Sequence, residues 1–233
     1  MKTSVILPTY NERENIIPLI KEIKGNLDTL STDYEILVID DNSPDKTGEI
    51  VKQFSENQKS IRCIIRYDKK GLASAIQEGI QNTSGDLIII MDTDFSHPPE
   101  TIVSLFKNLE NADIVVASRY VKQGSMDAPR HKYFGSFMLN KAIILILSFK
   151  IKDSTGGFFI LKRKALENLD LNKIFSGYGD FSFRLLYHLR EHNKTIKEIP
   201  FRYGLRRYGK SKTNLLKTGF SYLYEAFRTR FDL

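Results

Sequence analysis

The 233-residue sequence contains one cysteine, Cys63, within the apolar run IRCIIR. No disulfide can form within the chain, which fits a reducing compartment and leaves the fold to be held by burial. No apolar run reaches the roughly 20 residues needed to cross a bilayer. The most apolar segment, AIILIL at 142–147, is bracketed by Lys141, Ser148 and Lys150. No G-x-G-x-x-G follows the first apolar segment, so the nicotinamide and flavin fingerprint is missing. Internal repeats and low-complexity tracts are absent as well. The opening MKTSVILPTYNE passes from a short apolar run straight to polar residues, unlike a signal peptide.

Acidic charge is scarce in one half of the chain. Residues 1–119 hold 13 Lys and Arg against 19 Asp and Glu, whereas residues 120–233 hold 22 against 9. So uneven a distribution points the second half toward an anion: nucleic acid, anionic lipid or a phosphorylated substrate.

The first half alternates β-branched runs with amphipathic segments. Strands are expected at 4–8, 34–40, 61–66, 86–92 and 113–118, with helices near 11–26, 45–56, 71–82 and 98–109. Strands apolar throughout, separated by helices, predict an α/β fold with a mostly parallel sheet covered on both faces. Such sheets bind ligands beyond the carboxyl ends of their strands. The polar clusters PTYNE, DDNSPD and DTDFSH all fall there. Beyond residue 120 the alternation breaks down, with helices expected near 133–149 and 179–193, strands near 155–161 and 196–203, and a last helix from about 212. That last segment places Leu216, Phe220, Leu223, Tyr224, Phe227 and Phe231 on one face, with Lys217, Arg228 and Arg230 beside them. It reads either as a helix packed on its own domain or as one lying in a membrane interface.

Asp92-Thr93-Asp94 ends the apolar run DLIIIM. Two carboxylates flanking one residue repel each other unless a cation intervenes, and Mg²⁺ or Mn²⁺ prefers such oxygen ligands together with substrate phosphates. A solvated turn with Asp94 or Ser96 as helix cap is the plainer explanation of a lone D-x-D. Of Asp40 and Asp41, one caps the following helix and the other is free for a base or ribose. Tyr10 is placed to stack on a base, and Asn11 serves equally well as a helix cap. His188 and His192 share a helix face without a third ligand and read as surface. GLRRYGKS at 204–211 satisfies the phosphate-loop spelling, but its bulky interior and the short remaining chain argue against that loop.

In combination, PTYNE, DDNSPD, D-x-D-x-S-H-P-P-E and R-x-x-G-x-S-K resemble the inverting nucleotide-sugar glycosyltransferases of family 2, and within them the polyprenol (dolichol) phosphate mannosyltransferases. The matching segments run in order along nearly the whole chain. The resemblance implies a single GT-A domain over 1–233, Rossmann-like, with a nucleotide-sugar half (1–120), an acceptor half (121–211) and an amphipathic, membrane-surface helix (212–233). It implies that Pro8, Tyr10, Glu12, Ile39 and Asp41 hold the nucleoside. Asp92, Thr93 and Asp94 face ribose and diphosphate, with Mg²⁺ or Mn²⁺ on Asp92, Asp94 and Ser96. Arg119, Arg206 and Lys212 grip phosphates of donor or acceptor. Asp92, Asp94 and Arg119 are the catalytic set.

The acceptor group implied is a lipid phosphate, for which Arg119, Arg130, Lys132 and Ser136 are the expected contacts. Such a phosphate carries about −1.5 to −2 charge at neutral pH, so it needs no general base. Family positions depart at Thr93 (commonly alanine), Lys132 and Phe159 (both commonly arginine), and around Asp180, where a glutamate is usual in the following helix. The implied partners are GDP-mannose, a polyprenyl phosphate and the cytoplasmic face of a membrane. A separate membrane-spanning subunit is left open, and no nucleic acid is expected because the first half's strand ends are acidic. UDP-glucose as donor, a hydroxyl acceptor, a basic nucleic-acid module and an inactive scaffold subunit are the alternatives.

Overall fold

The computed structural model describes residues 1–209 and 215–232. Its first half is a run of strand–helix units: β1 (Lys2–Thr9), α1 (Arg13–Asp28), β2 (Asp33–Asp40), α2 (Thr47–Ser55), β3 (Ile61–Ile65), α3 (Leu72–Gln81), β4 (Leu87–Ile90), α4 (Thr101–Lys107) and β5 (Ile114–Ser118). The second half is less regular: β6 (Ser125–Met126), α5 (Arg130–Leu147), β7 (Phe159–Lys162), α6 (Leu171–Ile174), α7 (Phe181–Glu191), β8 (Ile196–Pro200), β9 (Arg202–Tyr203) and α8 (Leu215–Phe231).

Seven strands form one sheet in the order β3-β2-β1-β4-β7-β5-β8, so strands from both halves of the sequence share it. All neighbours are parallel except β7, which runs antiparallel to β4 and β5. The strands are apolar throughout because alternate residues serve opposite cores. On one face Val5, Leu7, Ile89 and Val115 meet α1, α2 and α4 through Ile16, Ile20, Val51 and Ile102. On the other, Ile6, Ile88, Val116 and Phe159 meet α3, α5 and α7 through Ile76, Ile143 and Leu185.

Local chemistry trims several expected boundaries. Pro98 and Pro99 delay α4 to Thr101, and β7 begins only after Gly156 and Gly157. The strand expected at 196–203 divides at Phe201: β8 joins the main sheet, while β9 pairs with β6 in a separate two-stranded ribbon. The last helix does not present one apolar face outward. Leu223 and Ala226 turn inward onto the α5 and α7 side, while Phe220, Tyr224, Phe227 and Phe231 remain exposed. Among the described residues, no helix is long and apolar enough to cross a membrane.

Candidate active site

A cavity of about 490 Å³ opens at the carboxyl ends of β1, β2 and β4. Here β1 has its crossover partner β2 on one side and β4 on the other, a switch point of the kind that leaves a crevice at the sheet edge. One end is lined by Pro8, Thr9, Tyr10, Glu12, Asp41 and Lys70, the middle by Asp92, Thr93, Asp94 and Arg206, and the far end by Thr155, Gly157, Tyr178, Phe181 and Tyr222.

At the first end, β1 stops at Thr9 and Asn11 takes a left-handed φ of 58°, a conformation asparagine tolerates. Glu12 then turns back under Asn15, whose Nδ2 donates to Glu12 Oε2 at 2.6 Å. Tyr10 is 39 % exposed, with the Lys70 ammonium 5.8 Å from its ring centroid. Ile39 does not reach the cavity. It alternates onto the hidden face of β2, wholly buried with Leu37 against Ala75, and supports the wall from beneath.

The two aspartates after β2 divide their work differently from expectation. Asp40 accepts from the Ser43 amide at 2.9 Å and hydroxyl at 2.5 Å, and burial raises its pKa. The first turn of α2 is held instead by Asp45, which accepts from the Thr47 amide at 3.0 Å. Asp41 is not free. Its Oδ1 accepts from Arg66 Nε at 2.7 Å and also from Nη2, and its Oδ2 accepts from the Gly71 amide at 2.7 Å. Arg66 is buried, so this ion pair anchors the loop that carries Lys70.

In the middle, the chain leaves β4 in a tight loop. Phe95 adopts φ 67°, which costs a bulky residue on the order of 1–3 kcal/mol. Contacts on both sides hold it there: its ring is buried, and the Arg207 guanidinium lies 3.7 Å from the ring centroid. Asp94 Oδ1 accepts from the Ser96 amide at 2.9 Å and hydroxyl at 2.5 Å, and Oδ2 pairs with Arg206 Nη1 at 2.7 Å. Asp92 points into the cleft with 39 % of its side chain exposed, yet the surrounding protein pushes its carboxyl above the usual range. His97, stacked on Phe158 at 4.9 Å, accepts the Asp92 amide on Nδ1 at 2.9 Å and so fixes where that carboxylate begins.

The phosphate-loop look-alike is occupied by this loop. The Gly204 amide donates to Ser96 O at 2.9 Å and the Arg207 amide to Asp94 O at 3.0 Å, so these amides face protein rather than a phosphate. Lys212 lies outside the described residues.

Arg119 stands behind the far end. Its Nε and Nη2 donate to Asp153 at 2.8 and 2.7 Å, and Nη2 also donates to Thr155 Oγ1 at 2.8 Å. The adjoining Tyr120 hydroxyl lies 2.8 Å from Ser136 Oγ. Arg130 and Lys132 lie in the first turn of α5, exposed and off the cavity wall. Phe159 is a wholly buried core residue of β7, and Asp180 is tied to Arg184. His188 and His192 are linked by a His192 Nδ1 contact to the His188 carbonyl at 2.9 Å.

Among the described residues, no cluster of three His, Cys, Asp or Glu side chains stands ready for a metal. Two carboxylates with a serine hydroxyl nevertheless suit a hard divalent ion that takes its remaining ligands from substrate phosphate and water. Arg206 already places positive charge against Asp94, a stand-in for such an ion. The donor set therefore fits Mg²⁺ or Mn²⁺. Sequence reasoning missed Arg66, His97, Asp153 and Tyr222 as site elements. The first three sit inside the motifs RYDKKG, SHPPE and DSTGG, but their partners are 5 to 34 residues away in sequence.

The same architecture occurs in glucosyl-3-phosphoglycerate synthase from Mycobacterium tuberculosis. Its structure with Mn²⁺, UDP and glucosyl-3-phosphoglycerate superposes with a TM-score of 0.74 at 20 % identity, over 100 % of this chain and 80 % of that one. Its complex with Mg²⁺ and UDP gives 0.71 at 20 % identity, over 99 % and 78 %. The fold is thus that of the GT-A glycosyltransferases.

A sequence model described as Glycosyl transferase family 2 matches residues 4–170, and the chain belongs to that family. Curated relatives are dolichol-phosphate mannosyltransferases. That of Pyrococcus furiosus is 39 % identical over 98 % of this chain, and that of Saccharomyces cerevisiae is 32 % identical over 90 % of this chain and 80 % of its own length. The chain spans 63 % of the Pyrococcus protein's length.

Proposed function

We propose that this chain transfers mannose from GDP-mannose to a polyprenyl phosphate with inversion, as one domain whose 1–120 half takes the donor and whose 121–211 half takes the acceptor. The relatives' names support this reading, and one structural observation carries it. The two buried carboxylates nearest the far end of the cavity, Asp153 and Asp180, are each ion-paired, to Arg119 and Arg184. Both carboxylates are already engaged by guanidinium groups, and this far end suits an acceptor that is already an anion.

In this reading the guanine nucleoside lies at Pro8, Tyr10, Glu12 and Asp41, with the diphosphate over Thr93 and Asp94. Arg206 and Lys212 balance its charge. Asp92, Asp94 and Ser96 would hold Mg²⁺ or Mn²⁺, which would supply charge neutralisation on the leaving diphosphate. The acceptor phosphate oxygen forms the new bond to the anomeric carbon as the bond to GDP breaks, and no proton is removed. Arg119, bound by Asp153, steadies Thr155 and Tyr120 at the far end, while Ser136, Arg130 and Lys132 meet the approaching phosphate. Exposed Phe134, Met138 and Leu145 on α5 join Phe220, Tyr224 and Phe227 on α8 as the surface that lies on the cytoplasmic face of an anionic membrane.

Purified protein with Mn²⁺, a panel of labelled sugar nucleotides and a short polyprenyl phosphate tests the reading. Mannose transfer from GDP-mannose to the lipid phosphate is expected. Transfer only from UDP-glucose, or only to a sugar hydroxyl, overturns it.

A further inference from the structure

The family match ends at residue 170, and part of the far wall of the cavity, beside Thr155 and Gly157, comes from residues beyond it. Tyr178, Gly179 and Phe181 come from the turn into α7, and Tyr222 comes from α8. The wall past Asp92, built in part by the C-terminal third, is placed to contact the transferred group.

Tyr222 lies on the inward face of α8, and its ring meets Phe183 edge-on with centroids 5.8 Å apart. The hydroxyl crosses directly over Gly179: a Cβ at that glycine would lie 2.1 Å from the oxygen. Among the described residues nothing hydrogen-bonds this hydroxyl, although Tyr222 lines the cavity. Burial raises the phenol's pKa, and the fields of Asp180, Tyr178 and Asp92 push the same way, so it stays a neutral donor. A rigidly packed O–H with no partner among the described residues, opening on the cavity, matches a ligand hydroxyl.

We propose that Tyr222 is a specificity-determining residue that hydrogen-bonds a ring hydroxyl of the transferred hexose. The inference rests on the reading above, in which the nucleoside occupies the Tyr10 end and the diphosphate the Asp94 loop. The hexose then extends past Asp92 to the wall where Tyr222 stands over Gly179. Because Tyr224, Phe220 and Phe227 are exposed on the same helix, the residue that contacts the sugar and those offered to the membrane are carried by one element.

The test compares dissociation constants for GDP-mannose and for GDP, each with Mn²⁺, by calorimetry. Tyr222→Phe keeps the ring and removes only the hydroxyl. Gly179→Ala leaves Tyr222 intact but displaces its oxygen, and Tyr224→Phe is the control on the exposed side of α8. Thermal melts confirm that each variant folds. Tyr222→Phe and Gly179→Ala are expected to weaken GDP-mannose about five- to tenfold while leaving GDP within about twofold. Tyr224→Phe should change neither. Equal weakening of GDP and GDP-mannose overturns the assignment. So do unchanged donor affinities with a raised KM for polyprenyl phosphate, which would move Tyr222 to the acceptor. UDP-glucose and UDP provide the same comparison for another donor, and a wild-type protein that binds neither sugar nucleotide overturns the proposed function and this contact together.

Discussion

Arg206 and Asp94 are joined across the cavity floor, Nη1 to Oδ2 at 2.7 Å, although they stand 112 positions apart in the sequence; the pair meets only because the 204–207 segment folds onto the loop after β4. Asp94 is 2 % exposed, so its charge needs a partner at all times. In the proposed function a divalent ion at Asp94 would compete with the guanidinium, and an Arg206 so displaced would be free for the diphosphate.

Arg206→Gln is accordingly expected to separate two properties. Mn²⁺ titrated without nucleotide should bind more tightly than to the wild type, because the competing cation has gone. Transfer should fall about 100-fold in kcat/KM, the usual scale for losing one charge-stabilising donor. Unchanged Mn²⁺ affinity and unchanged transfer would remove Arg206 from the site.

Asp41 and Arg66 give a second test. Removing one member of a buried ion pair strands the other, at about 3–5 kcal/mol. Asp41→Ala should lower the unfolding free energy by an amount in that range and raise the donor KM, since the Arg66–Gly71 loop borders the proposed nucleoside end. Arg66→Met together with Asp41→Leu should recover much of the stability but not the donor KM.

Glu35 predicts a pH effect far from the cavity, at the amino ends of the strands. Burial alone would raise its carboxyl, but the Ser84 amide, Lys2, Ser4 and Arg62 outweigh burial and bring it down to about 2. A depressed carboxylate stabilises the fold above its unfolded pKa, and that stability is lost as pH falls from about 4.5 to 2. Glu35→Gln should therefore cost roughly 3 kcal/mol at pH 7 and flatten the acid limb in that window. Unfolding free energies measured from pH 7 to pH 2 check both, and transfer by the folded variant should match the wild type.

The first half was legible because its strands are buried on both faces and its polar clusters fall at strand ends. Pro8, Tyr10, Glu12 and the Asp92–Asp94 pair reach one cavity for that reason. Ile39 was misplaced because β2 alternates: its neighbour Asp40 ends the strand, and Ile39 itself turns to the hidden face. The second half was harder to read because its order depends on pairs distant in sequence. Arg119 with Asp153 and Tyr120 with Ser136 leave no periodic signal, and neither does the antiparallel β7 between two parallel neighbours. Leu223 faces inward because α8 packs on α5 and α7, a choice that helical spacing alone does not determine.

The exposed aromatics of α8 and α5 predict lipid binding. Phe220→Ser combined with Phe227→Ser should reduce partitioning onto vesicles of anionic phospholipid by about tenfold or more, with GDP-mannose affinity unchanged. Sedimentation with vesicles measures the first and calorimetry the second. Equal partitioning of wild type and variant would assign the membrane surface elsewhere.

The most direct measurement is donor binding and mannose transfer by wild type and Asp94→Asn, with Mn²⁺ and again in excess chelator. The account predicts transfer by the wild type with Mn²⁺ alone, and loss of both binding and transfer in the variant and in chelator. An Asp94→Asn protein that binds GDP-mannose and turns over like the parent without any divalent ion would contradict it.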